Sequence, residues 1–79
     1  MTPTIFQERG YRFFFFSREE LRMHVHVVSA RGEAKFWLEP TIDLARSYRY
    51  SHRELAEIET IIEEHQNELT SAWRQHFSS

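Results

Sequence analysis

His24-Val25-His26 is the triplet richest in chemical content. On an extended strand, residues two apart share a face, so the imidazoles stand side by side with Cα atoms ~6.5–7 Å apart. That spacing can chelate a metal or set two titratable groups beside one phosphate. Glu33 and Lys35 repeat it, and on a neighbouring strand they would join the histidines. Together His24, His26, Glu33 and Lys35 supply a general base, a general acid and a charge stabiliser for cleaving a phosphodiester. The same residues have ordinary uses as half-exposed strand histidines and a cross-strand ion pair, the latter worth under about 1 kcal/mol. For a metal, Glu33 is the only obvious third ligand, whereas zinc needs a fuller, oriented shell. The chain has no Cys, which removes thiolate sites and disulfides. No resident metal or cofactor is expected.

Arg46, Arg49, His52 and Arg53 gather before and inside the start of a helix, and Arg12 stands in an aromatic strand. Cations at a helix N-terminus oppose its dipole at ~0.3–1 kcal/mol each, which hints at a use such as holding RNA phosphates. Arg53 could instead pair with Glu57 one turn on. Nucleic-acid contacts are expected at Arg12, Arg46, Arg49 and Arg53. Residues 1–39 carry six Lys/Arg against five Glu, and residues 40–79 four Arg against seven acids. Most of the second-half acids fall on the outer face of the helix, ordinarily a solvated face, so RNA would approach the sheet. Phe14, Phe16, Trp37, Trp73 and Phe77 are candidates for docking a partner, although such aromatics also suit a core. His65 falls within the helix's apolar stripe and reads as a packed histidine bonded to a neighbour. No Gly-rich phosphate loop, nucleophile elbow or Ser-His-Asp set is present.

The elements that must position these groups come from 79 residues, 41% hydrophobic and 28% charged. That composition fits a single domain over residues 1–79, too apolar for a disordered tail and too mixed for a coiled coil. A formal charge of −2 gives no overall basic field. No apolar run approaches the ~18–20 residues of a membrane span and no signal pattern opens the chain, so a cytoplasmic protein without a membrane partner is expected.

Four strands are predicted: Thr4–Glu8, Tyr11–Ser17, Arg22–Ser29 and Glu33–Glu39. Arg9-Gly10 and Ala30-Arg31-Gly32 supply turns and Pro40 ends the last strand. Alternation sends Met23, Val25, Val27, Ala34, Phe36 and Leu38 to the core. It leaves His24, His26, Glu33, Lys35 and Trp37 on a second face. Residues 41–50 read as either a short helix or an extra edge strand.

The helix signal is stronger. Ser51-His52-Arg53-Glu54 fits a capping box, with Tyr50 and Leu55 as a staple. Leu55, Ile58, Ile62, His65, Leu69, Trp73 and Phe77 then recur as one stripe. Unbroken to Phe77, this helix would reach about 40 Å. Either it breaks near Gln66-Asn67, or its end projects and offers Trp73 and Phe77 to a partner or a homodimer. The expected fold is α+β: an antiparallel three- or four-strand meander over residues ~4–39, packed on one face by a long C-terminal helix over ~51–77.

Several segments together resemble a known family. They are Thr2-Pro3-Thr4-Ile5-Phe6, Tyr11-Arg12-Phe13-Phe14-Phe15-Phe16-Ser17, His24-Val25-His26-Val27 and Gly32-Glu33-Ala34-Lys35-Phe36-Trp37-Leu38. In the second half Ser51-x-x-Glu54-Leu55, Glu64-His65-x-x-Glu68-Leu69 and Trp73 continue the likeness. Across nearly its whole length the chain is similar to the short bacterial proteins grouped as domain of unknown function 4160. The resemblance implies the toxin of a type II toxin–antitoxin pair, whose antitoxin is a second small protein encoded by the adjacent gene. Two positions depart from the family's pattern: Arg22-Met23 stands where a Pro-Pro pair is typical, and Tyr50 where a Gly often precedes the capping Ser.

Three functions are carried forward. The first is a toxin acting on RNA or the ribosome, with metal-independent, ribonuclease-like chemistry at His24, His26, Glu33 and Lys35. The second is a non-enzymatic module that docks a partner protein through an aromatic sheet face. The third is a small metal-binding protein using His24, His26 and Glu33.

Overall fold

The computed structural model of the chain describes residues 4–15 and 22–77. Five strands form a single antiparallel meander in the order β1-β2-β3-β4-β5: β1 (Thr4–Glu8), β2 (Tyr11–Phe14), β3 (His24–Val28), β4 (Glu33–Trp37) and β5 (Asp43–Tyr48). Two helices follow, α1 (His52–Glu64) and α2 (Gln66–Phe77). The architecture is α+β as expected, with one strand more and with two helices in place of one. No helix among the described residues is long and apolar enough to cross a membrane. The predicted extension of the second strand to Ser17, and Phe16 with it, lie outside the described residues.

Local chemistry accounts for the turns. Arg9 and Gly10 both take positive φ, 54° and 86°, as a two-residue hairpin turn of type I′ demands. At Gly32 a Cβ would collide with the Tyr48 carbonyl, so only glycine lets the ends of β4 and β5 approach. Glu39-Pro40 is a cis peptide after β4.

The segment left open by the sequence, residues 41–50, contains edge strand β5. Its register slips opposite Lys35 and Phe36, which face Arg46 and Leu44. Ala45 is therefore the extra residue of a bulge. The bulge breaks the period-two alternation by which a strand is recognised, and the charged Asp43 and Arg46 are usual for an edge.

The core lies between the sheet and the helices. Phe13, Val25, Val27, Phe36, Ile58, Ile61, Ile62 and Leu69 are almost wholly withdrawn from solvent. The sheet contributors alternate along their strands as predicted. Ser51 and Glu54 close the capping box: the Glu54 N–H donates to Ser51 Oγ at 3.1 Å and the Ser51 N–H to Glu54 Oε1 at 2.8 Å.

The helical stripe breaks at His65, one residue before the predicted place. His65 leaves the helical conformation with φ −109° and ψ 18°. Its ring stacks on Phe6 of β1 at 4.1 Å. Nδ1 meets Glu68 and Nε2 meets Glu8 on β1, each at 2.8 Å. This tertiary clamp holds the break. Beyond it α2 folds back onto the sheet, so the projecting helix end does not occur. Trp73 is buried against Phe15, with ring centroids 5.2 Å apart edge to face, and Phe77 packs on Trp73 at 4.1 Å. The case for a partner or homodimer at an exposed helix end goes with it.

Candidate functional site

With one face of the sheet committed to the helices, the register arranges the other in cross-strand rows. Phe14 pairs with His26, His26 with Lys35, and Lys35 with Arg46. One row thus carries an aromatic ring, an imidazole, an ammonium and a guanidinium at the ~4.8 Å spacing of adjacent strands. The next row holds Arg12, Val28, Glu33 and Tyr48, and the row on the other side holds His24, Trp37 and Asp43. Parallel rows of this kind follow from the tight β3–β4 turn, closed by the Ser29 N–H donating to the Gly32 carbonyl at 3.0 Å.

The first row floors a groove of about 290 Å³, walled by Phe14, His26, Glu33, Lys35, Arg46 and Tyr48. Phe14 and His26 stack with centroids 5.6 Å apart and planes 23° from parallel, and the Arg12 guanidinium lies 5.4 Å over the Phe14 ring. Lys35 and His26 are 5% and 6% exposed, so their polar ends act in surroundings poorer in water than a surface strand would give. The Lys35 Nζ sits 4.6 Å from the Trp37 ring centroid, and the Arg22 guanidinium sits 4.2 Å from it. Trp37 therefore holds two cations by its π-face and is only half exposed. Two cations, Lys35 and Arg46, outnumber the single carboxylate of Glu33 in the groove's wall, a charge balance that favours an anion there.

The predicted catalytic residues divide. His26, Glu33 and Lys35 share the groove: Lys35 is directly opposite His26, and Glu33 is its diagonal neighbour. His24 does not join them. It is fully buried, and its Nδ1–H donates to the Arg22 carbonyl at 2.7 Å. Its ring meets His26 at 5.1 Å, Trp37 at 5.7 Å and Trp73 of α2 at 5.1 Å, each edge to face. Equal parity did not give equal surroundings, because His24 is the first residue of its strand and α2 reaches that end of the sheet. Along the strands, the rows of His24 and Glu33 are four residues apart, or ~13 Å, too far for one metal or one proton relay. Among the described residues no three His, Asp or Glu side chains gather as a metal site would need.

Of the predicted phosphate contacts, Arg46 lines the groove and Arg12 stands beside it over Phe14. Arg49 lines a second hollow next to it. Arg53 is exposed in the first turn of α1 and lines neither. The alternative Arg53–Glu57 pairing gives way to other partners: Glu57 receives the Tyr11 hydroxyl at 2.9 Å and Arg9 at 3.3 Å. Among the predicted docking aromatics, Phe14 lines the groove, while Trp73 and Phe77 belong to the core and its margin. Tyr48 was missed. It is 59% exposed and shares a face with Arg46 two residues earlier, a pairing visible in sequence only once residues 43–48 are read as a strand.

Comparison with known proteins gives one match. Residues 10–74 match the family described as domain of unknown function DUF4160, and the chain belongs to that family. No curated protein and no solved structure matches it.

Proposed function

We propose that this member of the DUF4160 family is the toxin of a type II toxin–antitoxin pair and that it cleaves RNA, without a metal, in the groove across β2 to β5. The toxin role rests on the sequence resemblance. The RNA role is supported by one observation above all, the unbroken row Phe14, His26, Lys35 and Arg46 with Glu33 diagonal to its imidazole. Lys35 and Arg46 would take the non-bridging oxygens of a phosphodiester, and Phe14 an adjoining base. Glu33 accepts the proton of the ribose 2′-hydroxyl as that oxygen attacks phosphorus. The bond from phosphorus to the 5′-oxygen breaks, and protonated His26 gives its proton to the leaving oxygen. A 2′,3′-cyclic phosphate and a free 5′-hydroxyl result, and charge developing on phosphorus falls between two fixed cations.

Inducing the protein without its neighbour should arrest growth, and His26→Ala should relieve the arrest. Purified protein should cut total RNA to cyclic-phosphate ends equally with and without a chelator. Full toxicity in His26→Ala, or intact RNA after incubation, removes the cleavage mechanism. Intact RNA together with tight binding of the neighbouring gene's product would favour the docking-module reading instead.

A further inference from the structure

We infer that the groove continues past Tyr48 into a second subsite, so that the ligand is single-stranded RNA spanning two positions with the Tyr48 ring as the wall between them. This rests on the RNA reading above and extends it to the form of the substrate.

A second hollow of about 260 Å³ lies around the β3–β4 turn, and Glu33 and Tyr48 line it as well as the first. The two therefore adjoin, the second being the shallower and more open. They are of nearly equal size, and each has its own cations: Lys35 and Arg46 in the first, Arg31 and Arg49 in the second. Residues two apart on β5, such as Arg46 and Tyr48, are separated by ~6.5–7 Å, comparable with one backbone step of an extended nucleic acid strand.

Tyr48 is one of only two large hydrophobic residues exposed among those described. An aromatic ring left in water between two cationic hollows suits base stacking, which tolerates any base because every base has a π-face. The Arg49 guanidinium stands 5.3 Å from the centroid of this ring. Arg49 is held there by its backbone. The next residue, Tyr50, turns inward, where its hydroxyl donates to the Gly32 carbonyl at 2.9 Å and meets Ser29 Oγ at 2.7 Å. Reversing direction in one step between an outward Tyr48 and an inward Tyr50 puts Arg49 at φ 68°, a conformation uncommon outside glycine. A duplex would not use such a wall, since its bases are stacked within and its deep groove admits no side chain.

The test is fluorescence anisotropy with a labelled 2′-O-methyl oligonucleotide, which cannot be cleaved, as a single strand and annealed to its complement. The native protein should prefer the single strand. Tyr48→Ala should weaken binding ~5- to 150-fold, the range for losing one stacked base. Tyr48→Phe, which keeps the ring, should retain it. Arg49→Ala should lower the salt dependence by about 0.7 in the log–log slope, one phosphate's worth on a single strand. Arg46→Gln reports on the first subsite. Weakening by Arg46→Gln with no effect of Tyr48→Ala or Arg49→Ala would overturn the second subsite while leaving the RNA reading intact. Equal affinity for the duplex would also overturn it. No binding of either form by the native protein would overturn both. Tyr48 and Arg49 are exposed, so the variants should fold, and circular dichroism checks that they do.

Discussion

The clamp at His65 makes the stability of this chain depend on pH in a direction the structure fixes. Each ring nitrogen meets a carboxylate oxygen at 2.8 Å, Glu68 for Nδ1 and Glu8 for Nε2. Both can donate only in the imidazolium form. The hydrogen bonds to Glu68 and then Glu8 accordingly raise the His65 pKa above its ordinary 6.5, against a smaller opposing effect of burial. Below 6.5 the histidine is protonated in both folded and unfolded chains, and the clamp contributes in full. As pH rises, the unfolded chain gives up its proton first. The contribution then shrinks and is gone above the raised folded value. Hydrogen bonds to a charged group are worth ~1.5–3 kcal/mol each when shielded. Here the His65 and Glu68 side chains are 28% and 50% exposed, and solvent screening brings the pair to about 1–2 kcal/mol in total. For a domain of this size that is on the order of 5–10 °C in Tm. The assay is urea unfolding of native protein and His65→Gln between about pH 5.5 and 9. Glutamine cannot titrate, so the stability difference between the two should fall with rising pH. A flat difference, or one that grows with pH, would refute the assignment of a protonated clamp.

Two further perturbations separate the folding elements from the groove. Ser51→Ala removes the acceptor for the Glu54 N–H and should cost about 1 kcal/mol, read as a lower urea midpoint at unchanged slope; an unshifted midpoint would mean that the capping box contributes nothing. Gly32→Ala sets a methyl against the Tyr48 carbonyl and should force the ends of β4 and β5 apart. It should lower Tm and quench RNA binding together, and a variant with native Tm and native binding would contradict the close approach.

How far the sequence could carry this reading depends on how local each signal is. Strand alternation placed Val25, Val27, Ala34 and Phe36 in the core and His26, Lys35 and Glu33 opposite, because parity needs only the next residue along. The capping box was equally readable, since Ser51 and Glu54 meet within one turn. What the sequence left open or placed imprecisely depended on distant partners. The helix break at His65 is held by Glu8, 57 residues away, and no periodicity reports that. Strand β5 was left open against a short helix, because a bulge puts Leu44 and Ala45 out of phase. His24 departs from His26 because α2 packs on its end of the sheet, which the alternation of a single strand cannot express.

Two sets of hydrogen bonds tie the ends of the β3–β4 pair. The Met23 N–H donates to Glu39 Oε2 at 3.0 Å, a bond that a proline at this position could not make. The Leu38 N–H in turn donates to the Met23 carbonyl at 2.9 Å, and Arg22 Nε to the Glu39 carbonyl at 3.0 Å. The mouth of β3 is thus tied to the end of β4 by hydrogen bonds. Arg22, so anchored, also reaches the Trp37 ring. Tyr50 ties the opposite end of the same strand pair through Gly32 and Ser29. Both tethers act on β3 and β4, the strands that carry His26, Lys35 and Glu33. The cross-strand register on which the groove depends is therefore pinned at each end by side chains that do not line its first subsite.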